Sequence, residues 1–122
     1  MRVAFSGSRY RSARGQIEKI LREYDPRKDI VVHGGCSIGI DKEVDEIARK
    51  LGFRVVVFYP RKPEPKYYLK RNREMAKYAD ILYAFPKSKE TGELALRGIV
   101  TRGGTEHTIR QFIKLGKPVI VL

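Results

Sequence analysis

Short apolar runs alternate with amphipathic stretches along the whole chain. Five runs have the length of buried strands: Arg2–Ser6, Ile30–His33, Val55–Tyr59, Ile81–Phe85 and Val119–Leu122. Their apolar residues are consecutive rather than placed at every second position, which is typical of strands buried on both faces of a parallel sheet. The runs therefore predict a mainly parallel sheet of about five strands.

Between the runs, apolar residues recur at helical spacing. Four helices are predicted: Ala13–Tyr24, residues 40–51, Tyr67–Ala79, and a last helix through Ile109, Phe112 and Ile113 that ends at Gly116. Gly52 follows the second of them at the position where a glycine commonly ends a helix. The alternation of strands and helices predicts an α/β domain in which right-handed crossovers cover both faces of the sheet.

Two connections interrupt this alternation. Arg61–Lys66 is basic and broken by prolines, so we predict a surface loop there. Pro86–Gly103 is long and mixed in polarity, and we predict a hairpin or a lid, with a plain surface loop as the alternative. On the helix between the two connections, the expected inward-facing residues are Leu69, Met75, Ala76 and Ala79.

Length and composition point to a single domain covering residues 1–122, since 122 residues with 42% hydrophobic content are enough for one core and too few for two. No apolar run approaches the roughly 18 residues of a membrane span, and Met1–Phe5 is too short for a signal peptide. The expected location is the cytoplasm. Cys36 is the single cysteine, which excludes an internal disulfide and favours a structural role over a reactive thiol.

The charge balance is the strongest compositional signal. A net charge of +12 predicts attraction to nucleic acid or to small phosphorylated ligands. Abundant Lys, Arg and Glu with few Asn and Gln is also typical of heat-adapted proteins, and this second interpretation stands beside the first.

Glycine-rich loops follow the predicted strands at the sheet edge where open parallel sheets bind ligands. Glycine lets backbone N–H groups approach an anion, and a helix N-terminus adds unpaired donors. We therefore expect these loops to bind a phosphate-bearing ligand, although glycine also serves tight turns without any ligand. The candidate residues in them are Gly7, Ser8, Arg9, Gly34, Gly35, Gly39, Gly103, Gly104 and Thr105.

Charged and amide side chains near these loops extend the candidate site. Arg9 and Arg71 are candidate phosphate clamps, with a solvated surface arginine as the alternative for Arg71, and Asn72 is a candidate partner for a base or ribose. Asp41 and Glu106 are the candidate acid–base groups, although carboxylates in a first helical turn also act as caps. The two histidines, at positions 33 and 107, lie too far apart to predict a metal site by spacing, and neither metal nor cofactor is expected.

Four segments taken in order resemble the SLOG superfamily, the Rossmann-like group that includes DprA-type DNA-processing proteins and LOG-type nucleotide phosphoribohydrolases. The likeness covers nearly the whole chain. The segments are Ser6-Gly7-Ser8-Arg9, Gly35-Cys36-Ser37-Ile38-Gly39-Ile40-Asp41, Arg71-Asn72-Arg73-Glu74-Met75, and Gly104-Thr105 opening a helix that ends in Leu115-Gly116-Lys117-Pro118-Val119. The resemblance implies a three-layer fold, a homodimer, and a nucleotide-like ligand near Gly34, Gly35, Arg71, Asn72, Gly104 and Thr105.

The sequence departs from the LOG pattern at one position. LOG enzymes carry a glutamate three residues after the threonine of their Gly-Thr turn, whereas this chain has Thr108 there, and its nearest carboxylate is Glu106. Three interpretations follow: a nucleotide-binding sensor or processing domain, a nucleoside-monophosphate phosphoribohydrolase, and a single-stranded nucleic-acid-binding protein. Binding without bond cleavage is the leading one because it requires the fewest residues.

Overall fold

The computed structural model describes residues 1–122 and contains one five-stranded sheet. Its strands are β1 (Arg2–Gly7), β2 (Ile30–His33), β3 (Arg54–Val57), β4 (Ile81–Phe85) and β5 (Val119–Val121). All four neighbouring pairs are parallel, in the order β3-β2-β1-β4-β5. The predicted parallel α/β fold is confirmed.

Helices cover both faces of the sheet. They are α1 (Arg14–Leu21), α2 (Ile40–Lys50), α3 (Pro65–Tyr78), α4 (Lys89–Leu96) and α5 (Gly104–Lys114). One core layer packs Ile17 of α1 and Val44 of α2 against Val3 and Phe5 of β1. The other layer packs the buried faces of α3, α4 and α5 against Ala4, Val32 and Leu82 on the opposite side of the strands. The chain therefore forms three layers, helix–sheet–helix. None of the five helices has the length and the apolar character that a membrane span requires.

The structure has five helices rather than the four predicted, because the segment 86–103 contains α4. Ser88 precedes this helix, and its Oγ accepts a hydrogen bond from the backbone N–H of Thr91 over 3.2 Å. Gly98 lies just after the helix with φ +78°, a left-handed conformation that suits glycine at a helix end. The predicted hairpin is therefore wrong, as is the alternative of a plain surface loop, and a lid stays a prediction.

Helix α3 begins two residues earlier than predicted, at Pro65, where proline fits the first helical position because its missing N–H would have no partner in the helix. Met75, Ala76 and Ala79 are buried as expected. Leu69 is not, since its side chain is 39% exposed, and Asn72 is buried in this half of the helix instead.

The topology determines where a ligand cleft can form. The chain order reverses between β1 and β4, because β2 and β3 lie on one side of β1 while β4 and β5 lie on the other. A crevice opens outside the carboxyl ends of the strands at such a reversal. The loops after β1 and β2, the connection after β3 and the first turn of α5 meet there.

Candidate functional site

A cleft of about 1150 Å³ occupies this edge of the sheet. Its volume slightly exceeds the range of about 300–1,000 Å³ that is typical of small-ligand sites. It is lined by all but one of the candidate residues predicted from the sequence: Gly7, Ser8, Arg9, Gly34, Gly35, Asp41, Arg71, Asn72, Gly103, Gly104, Thr105 and Glu106. The turns at Gly34 and at Gly104 therefore lie on the same edge and face a shared space.

Gly39 lies outside the cleft. A Cβ atom at this position would lie only 2.4 Å from the Cα of Arg9, so glycine is required there for α2 to approach the loop after β1. Ser8 lines the cleft but is also used structurally, since its N–H donates to the Phe85 carbonyl and its Oγ accepts from the N–H of Tyr10. These contacts fix the loop from which the Arg9 side chain extends.

The first turn of α5 supplies free backbone donors. The Thr105 side chain fixes this turn over β1, because its Oγ1 accepts a hydrogen bond of 3.4 Å from Ser6 Oγ. No hydrogen bond is made by the backbone N–H groups of Gly104, Thr105 and Glu106, and Gly103 at the N-cap has no side chain to bind them. Three unpaired donors and the positive end of the helix dipole favour an anion at this turn.

The glycine loop after β2 differs, because two of its amides already have partners. The N–H of Gly35 donates to Nδ1 of His33 over 3.0 Å, and the N–H of Cys36 donates to Oδ2 of Asp41 over 3.1 Å. The two side-chain acceptors hold the loop in one conformation. Gly34 and Gly35 therefore shape the cleft wall, and the N–H of Gly35 is not available to an anion.

Arg71 is not a solvated surface arginine. Its Nη1 donates to the carbonyl oxygens of Gly34 and Phe58, and its Nε donates to Oδ1 of Asn72 over 2.9 Å. Through these bonds it ties α3 to the carboxyl ends of β2 and β3. Burial lowers the pKa of Arg71 from its ordinary value, and the nearby carboxyl of Asp41 opposes that effect.

Asn72 is only 3% exposed, and protein groups use its side-chain amide. Its Nδ2 lies 3.3 Å from the Gly104 carbonyl and 3.2 Å from Nδ1 of His107. Together with the bond from Arg71, these contacts join α3 to the first turn of α5. Asn72 therefore positions both walls of the cleft, a role that the sequence did not indicate.

Asp41 is 7% exposed and does not cap its own helix. While Oδ2 accepts from Cys36, Oδ1 is buried without any hydrogen-bond partner. Burial raises the pKa of Asp41 above its ordinary value, and the Cys36 amide and the positive charge of Arg71 offset part of that increase. A carboxyl that keeps its proton to higher pH has the property required of a general acid.

Glu106 is the second carboxyl of the cleft and is 4% exposed. Its Oε2 accepts a hydrogen bond of 2.8 Å from Thr91 of α4, and its Oε1 lies against Gly103. Thr108 is 1% exposed and donates from Oγ1 to the Gly104 carbonyl of its own helix over 2.9 Å. It therefore fills a structural role at that position.

The electrostatics of the cleft favour an anionic ligand. Seven cationic side chains line it, against the two carboxyl groups of Asp41 and Glu106; the cations are Arg9, Arg61, Lys62, Arg71, Lys87, Arg102 and Arg110. Arg9, Lys87 and Arg102 are exposed and form no ion pair or hydrogen bond with the protein. Arg9 and Arg102 are free to bind a ligand in the cleft, whereas Lys87 lies over the ring of Tyr10.

Tyr59 is a cleft residue that the sequence analysis placed at the end of a strand. It follows β3, lines the cleft, and is 71% exposed. The sequence could have indicated this role, because residues that follow a parallel strand lie at the ligand-binding edge of the sheet.

Comparison of the chain with protein-family models, with curated proteins and with solved structures finds no match. The function is therefore inferred from the cleft itself.

Proposed function

We propose that the protein binds a nucleotide or a nucleotide-derived phosphate ligand in the cleft at the carboxyl edge of the sheet. The observation that carries this proposal is the set of three unpaired N–H groups in the first turn of α5, whose residues line the cleft together with the unpaired side chains of Arg9 and Arg102. Donors and a helix dipole in this arrangement suit a phosphate group. Membership of the SLOG superfamily is part of the same proposal, since each of the four segments that carry the resemblance contributes residues to this cleft, among them Gly7, Gly35, Arg71 and Thr105.

Equilibrium dialysis of the purified protein against nucleoside mono-, di- and cyclic phosphates, followed by mass spectrometry, tests the proposal. We expect one or more intact nucleotides to be retained. The double variant Arg9→Ala/Arg102→Ala should bind them at least about tenfold more weakly, since each charge-assisted hydrogen bond contributes about 1.5–3 kcal/mol. Both side chains are exposed and unpaired, so its thermal unfolding should match that of the wild type.

Arg54→Ala is the matched control, because Arg54 is an exposed arginine at the amino end of β3, on the opposite edge of the sheet. It removes a positive charge far from the cleft, and we expect unchanged binding. Retention of no nucleotide by the wild type, or equal loss in the control and the double variant, would contradict the proposal. Binding only of oligonucleotides, with affinity falling steeply as salt rises, would favour the nucleic-acid interpretation instead.

Hydrolysis of the N-glycosidic bond is a second candidate function, and two observations favour it. The buried carboxyls of Asp41 and Glu106 line the same cleft, and their surroundings differ: Asp41 has an unpartnered oxygen, whereas Glu106 accepts from Thr91. Glycosidases use two carboxyl groups in unlike surroundings, one of which donates a proton to the leaving group. Free base released from a nucleoside monophosphate by the wild type, and by neither Asp41→Asn nor Glu106→Gln, would support it.

A further inference from the structure

Tyr59 is a highly exposed aromatic residue whose backbone is nevertheless held in place. The preceding residue is held on both sides: the Phe58 N–H donates to the His33 carbonyl over 2.9 Å, and the Phe58 carbonyl accepts from Arg71 over 3.2 Å. The half-buried Phe58 also packs its ring against that of Tyr78, and both rings pack against the core. The backbone that carries Tyr59 is therefore anchored directly before the cleft.

The ring of Tyr59 itself lies against Gly35. A Cβ atom at position 35 would be only 2.5 Å from the ring carbon Cε1 of Tyr59, and Gly35 has φ +77°. Glycine is thus required twice at this position, for the left-handed backbone and for the space that the aromatic ring occupies. The ring is supported by the glycine loop on one side, and the residue as a whole remains 71% exposed.

Each of the other two exposed tyrosines of the cleft has a cation near its ring. Lys87 Nζ lies 5.9 Å from the ring centre of Tyr10, and the guanidinium of Arg71 lies 5.8 Å from that of Tyr68. No cation lies over Tyr59. A supported ring with a free face is what an aromatic base or another planar heterocycle needs for stacking.

Tyr59 and the first turn of α5 are separated by two strand spacings across the sheet. The ring follows β3, whereas the first turn of α5 is bound to Ser6 at the end of β1, and β2 lies between them. Strands are spaced about 4.8 Å apart, so the two features lie on the order of 10 Å apart across the sheet. A nucleotide that extends along the cleft, with its base and phosphate at opposite ends, spans a distance of this order.

We propose that Tyr59 is the stacking platform for the planar base of the ligand, with the phosphate at the first turn of α5. This inference rests on the proposed function and adds the identity of the group at the other end of the cleft. Tyr59 then selects for a heteroaromatic ring and not for a particular base, because stacking on an aromatic side chain tolerates every base.

Fluorescence provides the test, because the chain contains no tryptophan. Tyr59→Trp introduces a single indole, and we expect AMP, GMP, CMP or UMP to quench it, whereas ribose 5-phosphate, which lacks a base, should bind without quenching. Tyr59→Ala should weaken nucleotide binding about tenfold and leave ribose 5-phosphate binding unchanged. Tyr59→Phe keeps the aromatic face and should bind as the wild type does.

Leu115→Trp is the control for the indole signal, because Leu115 is 48% exposed at the opposite end of α5. Its fluorescence should not respond to any nucleotide. If nucleotides and ribose 5-phosphate bind equally, and Tyr59→Ala changes neither affinity, the stacking role is overturned while the phosphate site stands. If none of these compounds binds the wild type, the proposed function fails first. Indole emission that changes with protein concentration instead would assign Tyr59 to contact between two copies of the chain and overturn the stacking role.

Discussion

The backbone N–H of Gly35 donates a hydrogen bond to Nδ1 of His33, with 3.0 Å between the two nitrogens. Because a backbone amide can only donate, Nδ1 carries no proton, and Nε2–H donates to Oδ1 of Asp45 over 2.8 Å. Both ring nitrogens of a side chain that is 3% exposed are therefore occupied. His33 thus connects the glycine loop of the cleft to the outer part of α2.

Replacing His33 by phenylalanine should destabilise the fold. A planar aromatic ring is kept, although phenyl is somewhat larger than imidazole, but Gly35 and Asp45 lose their partner, and we expect the free energy of unfolding to fall by about 2 kcal/mol in urea denaturation at neutral pH. His33→Asn is the matched variant, since its amide oxygen takes the position of Nδ1 and can accept from Gly35. It should be the more stable of the two, and equal stability of His33→Phe and wild type would show that these bonds contribute nothing.

Asp41→Asn should stabilise the protein at neutral pH. A carboxyl whose pKa is raised in the folded state contributes stability below its unfolded pKa, and this contribution is lost as pH rises through the folded value. The asparagine can accept from Cys36 without carrying a buried charge, so we expect a gain of about 1 kcal/mol or more at neutral pH. In urea denaturation from pH 4 to 8, the free energies of unfolding of the wild type and of Asp41→Asn should become more similar as the pH falls. A variant that is less stable than the wild type at neutral pH would contradict this prediction.

His107 should make stability decline in weak acid. Burial, with Arg110, Arg73 and Lys114 nearby, lowers the pKa of His107 from 6.5 to about 4. The unfolded chain therefore binds a proton before the folded chain does, and stability is lost as pH falls from 6.5 towards 4. His107→Asn, which retains an acceptor for Asn72, should show a smaller decline over this interval in thermal unfolding, and an identical decline would contradict the assignment.

Lys117 stabilises the end of α3. Its Nζ donates to the carbonyl oxygens of Ala76, Lys77 and Ala79, over 2.6, 3.0 and 2.7 Å. A cation on the unpaired carbonyls of a helix C-terminus is favourable, and Lys117→Met should lower the free energy of unfolding by about 2 kcal/mol. Lys114→Met removes the same charge from an exposed position with no hydrogen bonds, and its stability should stay within about 0.5 kcal/mol of the wild type. Equal losses in the two variants would indicate an effect of net charge alone.

Much of the fold follows from local patterns. The consecutive apolar residues of β1, β2 and β4 predicted buried parallel strands, and the helical spacing of residues such as Ile17 and Val44 predicted their crossovers. Helix α4 was missed because Gly92 lowers the helical propensity of its centre. The tertiary structure explains that glycine, since a Cβ there would lie 2.7 Å from side-chain atoms of Pro86 and Val121, against which the helix packs.

The sequence by itself determined which loops meet, because parallel strands place all their carboxyl ends on one edge, and glycine, arginine and carboxyl residues follow those ends. Only the tertiary structure decided what each group does there. The amides of Gly35 and Cys36 are bound by His33 and Asp41, whereas those in the first turn of α5 remain free. Whether a donor is free depends on the acceptors that packing brings within about 3 Å, and these come from other elements of the chain.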